Sequence, residues 1–187
     1  MSSLLQRLAS YRSFRVLVVG DFMLDQHISG AAERLSPDAP VPVLAVTGIA
    51  ETPGGASNVA LCLRGLLAEV TCFGVVGDDA EGRSLRAHLD EEGCDTAGIL
   101  VDPGRPTTVK RSLIGLAQHR HPQKMFRVDL ESREPLGSEL ASSLLAAIER
   151  SLDHVDVVCL EDYNKGVCTT ALCQSLVRLC RKHGKEL

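Results

Sequence analysis

Gly54-Gly55, followed three residues later by Asn58, is the stretch of this chain whose residue types best suit a small polar ligand. Glycines allow positive φ and close approach of backbone to ligand. A helix opening after them offers unpaired N–H groups, and the amide of Asn58 can both donate to and accept from a hydroxyl. One element earlier, the apolar run RVLVV at residues 15–19 leads into Gly20 and Asp21. That pattern is a buried parallel strand with a carboxylate at its C-terminal end, where ligands of open α/β sheets bind. Each feature also has a plainer reading, an ordinary glycine turn for the first and a strand-end cap for Asp21. A dinucleotide site is not indicated, because Gly20-Asp21-Phe22-Met23-Leu24-Asp25 lacks the G-x-G-x-x-G spacing. Asp21 and Asp25 stand four apart, whereas a phosphatase-type aspartyl pair has one intervening residue.

The elements that must position these residues alternate between strand and helix. A glycine turn at residue 54 feeds a helix to residue 66 with apolar positions Val59, Leu61, Leu63 and Leu66, and VTCFGVVG at residues 70–77 is the next strand. Asp78 as cap, Glu81 three residues on, Leu85 and Leu89 on one face and Gly93 at the end mark a second helix. Residues 137–152, with Leu140, Leu144, Leu145 and Ile148, repeat that logic. VDVVCL at 155–160 is a buried strand ending in Glu161-Asp162, and a last helix from about Thr169 to His183 buries Leu172, Leu176 and Leu179. PVPVLAV at 40–46, TTVKRSLIG at 107–115 and MFRVD at 125–129 are β-rich and partly alternating, which predicts a small second sheet outside the main one. After the helix closing on Gly184, an α/β chain normally returns to a further parallel strand.

Composition narrows the functional classes. With 187 residues, 44% hydrophobic and 24% charged, the chain suffices for one core. A net charge of −4 and a pI near 5.9 argue against nucleic acid as a partner, and the patch of His119, Arg120, His121 and Lys124 is too short to reverse that. His119 and His121 lack a third metal ligand nearby and read as a solvated hairpin. No apolar run is long enough to span a bilayer and no secretory leader is evident, so no membrane association and a cytoplasmic location are expected. Seven cysteines without a C-x-x-C pair fit neither a disulfide framework nor a zinc site, and most read as small buried apolar residues.

VVGDFMLD (18–25), RLSPDAPVPV (34–43), ETPGGASNVA (51–60), VGDDAEG (76–82), TTVKR (107–111), FRVDLE (126–131) and EDYNKG (161–166) together resemble, in family order and along nearly the whole chain, carbohydrate kinases of the ribokinase (PfkB) family. The glycine-asparagine segment and Gly77 are family-wide. SPDAPVPV and DYNKG resemble the D-glycero-β-D-manno-heptose 7-phosphate kinase branch, some members of which continue into a nucleotidyltransferase domain. The resemblance implies an α/β, ribokinase-like parallel-sheet sandwich with a small β-sheet lid, inserted at about residues 22–50 and 105–130, that serves as a homodimer surface. It implies that Asp21 holds sugar hydroxyls, that Gly54, Gly55 and Asn58 line the sugar pocket, and that Lys110, Arg127, Asp162 and Lys165 neighbour the sugar or its phosphate. ATP and Mg²⁺ are implied for the complete enzyme.

The chain also departs from the family pattern. Leu67 stands where a glycine usually closes the helix, and Glu161 replaces a frequent serine. The second family signature, a glycine-alanine-glycine-aspartate turn bearing the catalytic base and anion hole, has no counterpart, and VGDDAEG matches a different segment. The expectation is therefore an incomplete kinase domain over residues 1–187, with its C-terminal part missing and the catalytic aspartate beyond Leu187, that binds a sugar phosphate but does not by itself transfer phosphate. Two alternatives stay open: a non-catalytic paralogue or half of a split enzyme, and a kinase of another sugar or nucleoside.

Overall fold

The computed structural model describes residues 12–116 and 121–187, so His119 and Arg120 of the basic patch lie outside the described residues. The apolar run becomes β1 (Arg15–Gly20), one of two inner strands of a four-stranded parallel sheet. Its neighbours are β4 (Glu69–Val76) on one side, continued by β5 (Asp95–Val101), and β8 (Val157–Glu161) on the other. Alternation along β1 sends Val16 and Val18 to one face and Leu17 and Val19 to the other, so both faces are buried and the run is uniformly apolar. The first face packs on α1 (Ala56–Gly65) and α2 (Ala80–Glu91), with Ala56, Ala60, Leu85 and Leu89 buried. The second packs on α3 (Ser138–Ser151) and α4 (Thr170–Lys182) through Leu144, Ile148, Leu172 and Leu176. At the free edge of β8, Glu186 pairs in parallel with Val157, the direction expected of a returning strand.

The second sheet runs β3-β2-β6-β7, from β2 (Phe22–Leu35), β3 (Pro42–Gly55), β6 (Thr108–Leu116) and β7 (Gln123–Leu130). It grows out of the main sheet, since β2 starts one residue after β1 ends. Its strands run longer than the β-rich stretches suggested, because ladder pairing extends β2 and β3 to 14 residues each. The short polar-edged β5, with no strand expected there, forms by pairing with β4.

Three local expectations change. Asp79, not Asp78, caps α2: its Oδ1 accepts from the Gly82 N–H at 2.7 Å, while Asp78 is exposed and pairs with Arg83. The shift by one residue also lets Asp79 accept from the Thr107 hydroxyl and N–H, tying this turn to the strand that enters the second sheet. Burial would raise the Asp79 pKa, but the hydrogen bonds from Thr107 and Gly82 outweigh it and hold the carboxyl below its usual range. In α1 the small residues Ala56, Ser57 and Ala60 are buried and Leu66 is exposed, because small side chains let the helix approach the sheet closely. Of the seven cysteines, all free, Cys72, Cys94 and Cys180 are buried, Cys159, Cys168 and Cys173 partly so, and Cys62 is exposed.

Three helices end in the same way, with the second residue past the C-cap donating back into the last turn. The pairs are Ala68 to Leu63, Cys94 to Leu89 and Lys185 to Cys180. The intervening residue adopts positive φ; it is Gly93 and Gly184 in two cases and Leu67, at φ 64°, in the third. A side chain with a Cβ in that conformation costs roughly 1–2 kcal/mol. Leu67 is 70% exposed and recovers little of this by burial. Leu67→Gly is expected to stabilise the protein by about 1 kcal/mol, raising Tm by about 2–4 °C; an unchanged or lower Tm in a thermal melt would contradict this account.

Candidate functional site

β1 is the point at which strand order departs in two directions, β4 to one side and β8 to the other, and a crevice opens at such points beyond the strand ends. Asp21 sits there. Its backbone N–H donates to the Glu161 carbonyl and its own carbonyl accepts from Ala56 N–H, linking β8 and α1. Its side chain is buried, and both oxygens are occupied: Oδ2 accepts from the N–H groups of Tyr163 (2.8 Å) and Lys165 (3.1 Å), Oδ1 from that of Val167 (3.2 Å). The loop after β8 thus turns alternate N–H groups onto one carboxylate, with Asn164 and Gly166 at positive φ to make the turns. From the other side Arg105 donates to the carbonyls of Lys165 and Glu134, and its Nε to Asp102. Asp21 therefore anchors the loop after β8 from the end of β1.

Gly55 ends β3 and precedes α1 at φ 55°; a Cβ there would stand 2.5 Å from the Met23 methyl and 2.9 Å from the Asp21 carbonyl, so glycine is required. At Gly54 a Cβ would fall 2.5 Å from an Asp25 carboxylate oxygen. Asn58 is exposed one turn into α1, free of hydrogen bonds from its amide among the described residues. Asp25, which the sequence reading set aside as half of an aspartyl pair, is the carboxylate beside this turn. It lies on β2, level with Thr52 of β3 and Lys110 of β6, and Lys110 is in turn level with Asp129 of β7. These four share one face of the second sheet, the face that turns Lys110 toward the Tyr163 ring, with Nζ 5.9 Å from its centroid.

The charges on this face cancel selectively. Arg127 pairs with Asp129 through two bonds of 2.8 Å, and Lys165 pairs with Glu131 at 2.9 Å. Hydrogen bonds from Arg127 and Lys165 hold the Asp129 and Glu131 carboxyls below their usual range, so both carboxylates stay ionised at neutral pH. Asp162, exposed, accepts from Asn164 N–H in a local turn. Arg127, Lys165 and Asp162, expected beside the ligand, thus each already have a protein partner. Among the described residues Asp25 and Lys110 have no hydrogen bond or ion pair with the protein. With the Asn58 amide, this carboxylate and this ammonium are the groups named around the turn that lack such a partner among the described residues.

The described residues contain one group with the composition of a metal site, Asp21, Asp162 and Cys168, whose ligand atoms lie within 4.8 Å of one another. It does not fit Mg²⁺, which takes oxygen ligands: the Asp21 oxygens are occupied by N–H donors and the third group is a thiol.

A profile described as the pfkB family of carbohydrate kinases matches residues 13–186. The chain is 44% identical over 171 residues to the bifunctional protein HldE of Helicobacter pylori strain J99, covering 91% of this chain and 36% of that protein. It is 40% identical over 187 residues to the bifunctional protein HldE of Paramagnetospirillum magneticum, covering 100% of this chain and 37% of that one. It therefore spans about a third of the length of the curated relatives it matches. Among solved structures, a carbohydrate kinase from Agrobacterium tumefaciens superposes with TM-score 0.68 at 18% identity, covering 92% of this chain and 52% of that one. Ribokinase from Giardia lamblia does so with TM-score 0.61 at 18% identity, covering 93% and 53%. At such identities the structures speak to the fold, which is ribokinase-like. No helix of the described residues is long and apolar enough to cross a membrane.

Proposed function

Because the chain belongs to the pfkB family of carbohydrate kinases, we propose that residues 1–187 form the sugar-binding part of an ATP-dependent kinase whose acceptor is the anomeric hydroxyl of D-glycero-D-manno-heptose 7-phosphate. The observation that carries the reading is the pair of Asp25 and Lys110 on one face beside the Gly54-Gly55 turn, neither of them hydrogen-bonded or ion-paired among the described residues. A free carboxylate accepts hydrogen bonds from sugar hydroxyls, and a free ammonium meets a phosphate. Asn58 and the backbone at Gly54 and Gly55 complete the hydroxyl contacts, and Asp21 shapes the wall by holding the loop of Tyr163 and Lys165. The SPDAPVPV and DYNKG segments support the heptose branch over other sugars.

The second sheet acts as the lid, excluding water from the sugar as it covers the pocket. ATP supplies the transferred phosphoryl group, with Mg²⁺ on its phosphates, and this cytosolic nucleotide goes with a cytoplasmic enzyme. The lid's opposite face carries the row Ile49, Ile28, Leu113 and Phe126 across all four strands, with Ile49 63% and Phe126 67% exposed. Such an apolar face suits a second copy of the chain, making a homodimer through the lid.

Calorimetry with heptose 7-phosphate and with unphosphorylated heptose tests the reading. The phosphate ester is expected to bind more tightly, and Lys110→Met to weaken the ester about tenfold while leaving the free sugar unchanged. Binding of neither sugar would refute the reading; equal loss for both would remove Lys110 from the phosphate.

A further inference from the structure

The strands that present Asp25, Thr52 and Lys110 to the pocket carry a second set of polar residues on the opposite face. Gln26 follows Asp25, Arg111 follows Lys110 and Glu51 precedes Thr52, so the alternation of strand side chains turns all three to that opposite face together. There they form one hydrogen-bonded line. Arg111 Nε donates to Gln26 Oε1 at 2.6 Å, and Gln26 Nε2 donates to Glu51 Oε1 at 2.6 Å. Both ends reach α2, a helix of the core. Arg111 Nη2 donates to Glu81 Oε1 at 2.5 Å, and Ser84 Oγ donates to Glu51 Oε2 at 2.5 Å. Glu81 and Ser84 lie three residues apart on one face of that helix.

The line is built rather than incidental. Gln26 is buried at 8% exposure, and both oxygens of Glu51 accept a bond. The Arg111–Glu81 pair is mostly shielded, with side chains 31% and 23% exposed. A partly buried polar network of this kind is stabilising when all of its members are satisfied, and costly when one is removed.

We infer that Arg111 is a positioning residue: by joining β2, β3 and β6 to α2, its network holds the lid at the angle that points Asp25 and Lys110 into the pocket before any ligand arrives. Inner and outer residues are sequence neighbours on the same strands, so a rotation that breaks the outer contacts swings the inner carboxylate and ammonium away. Without the network, the competent lid orientation becomes one of several, and apparent affinity falls in proportion to its population. The affinity consequence rests on the sugar-phosphate reading above; the lid-rigidity consequence does not.

Amide hydrogen exchange of the unliganded chain and calorimetry with heptose 7-phosphate, on wild type, Arg111→Met, Arg111→Lys and the double variant Arg111→Met/Glu81→Gln, separate the two. Arg111→Met is expected to speed exchange in β2 and β6 about tenfold, leave β1 and β4 unchanged, and weaken binding about tenfold. Arg111→Lys, which can still reach one acceptor, recovers part of both effects. The double variant is no worse than Arg111→Met alone. Unchanged lid exchange in Arg111→Met overturns the inference, as does faster exchange spread equally over lid and core, which marks plain destabilisation. Faster lid exchange with unchanged affinity also overturns it. If wild type fails to bind while lid exchange rises as expected, the sugar-phosphate reading falls and the rigidifying role of Arg111 stands.

Discussion

Asp21→Asn is expected to destabilise the protein by about 3 kcal/mol, the largest effect on stability of any single substitution at the site. The carboxylate is 1% exposed and accepts three backbone N–H groups from the loop after β8. Hydrogen bonds to a charged acceptor contribute roughly 1.5–3 kcal/mol each. The isosteric amide keeps one acceptor oxygen and turns an NH₂ group toward N–H donors, so at least one buried donor is left facing another. Arg105 would still hold the Lys165 and Glu134 carbonyls, which limits the damage to the loop and its junction with β1. Urea unfolding gives the stability change, and limited proteolysis should show new cleavage within residues 162–167. A variant as stable as wild type that loses only sugar affinity would mean that Asp21 acts as a ligand-binding group and not as the anchor of the loop.

Asp25→Asn is expected to do the opposite, leaving stability within about 0.5 kcal/mol of wild type while weakening sugar-phosphate binding about 100-fold. Its carboxylate makes no hydrogen bond or ion pair with the described residues, so the fold loses little when the charge goes. A carboxylate accepting from two hydroxyls contributes more than a neutral amide, which offers one acceptor and presents a donor to the other hydroxyl. Calorimetry on the folded variant decides: binding as tight as wild type would place the sugar elsewhere. Together the two aspartates make a paired test, since one substitution should act on folding and the other on affinity.

What could be read before any coordinates were known follows from local periodicity. The mostly apolar runs of β1 and β8, the period of α3 and α4 and the glycine turn before α1 are each written locally in the sequence, and all of them form. The β-rich stretches did signal a second sheet, although ladder pairing, not local sequence, set where β2 and β3 end. The choice between Asp78 and Asp79 as the cap of α2 escaped local reading because Thr107, 28 residues away, supplies two of the winning carboxylate's bonds.

The candidate site divides along the same line. By itself the sequence determined which residue types gather at the end of β1 and on the second sheet: Asp21, Gly54, Gly55, Asn58, Lys110, Arg127, Asp162 and Lys165 are all written in recognisable segments. Which of them have protein partners was decided only by the tertiary structure. Asp21 accepts from N–H groups as much as 146 residues away, Lys165 pairs with Glu131 and Arg127 with Asp129, while Asp25, weighed in the sequence only as half of an aspartyl pair, lies beside Gly54 without a hydrogen bond or ion pair among the described residues. The physical reason is that a charged side chain's chemistry depends on what neutralises it. Backbone periodicity is encoded locally, but neutralisation comes from partners that only the folded chain brings within a few ångströms.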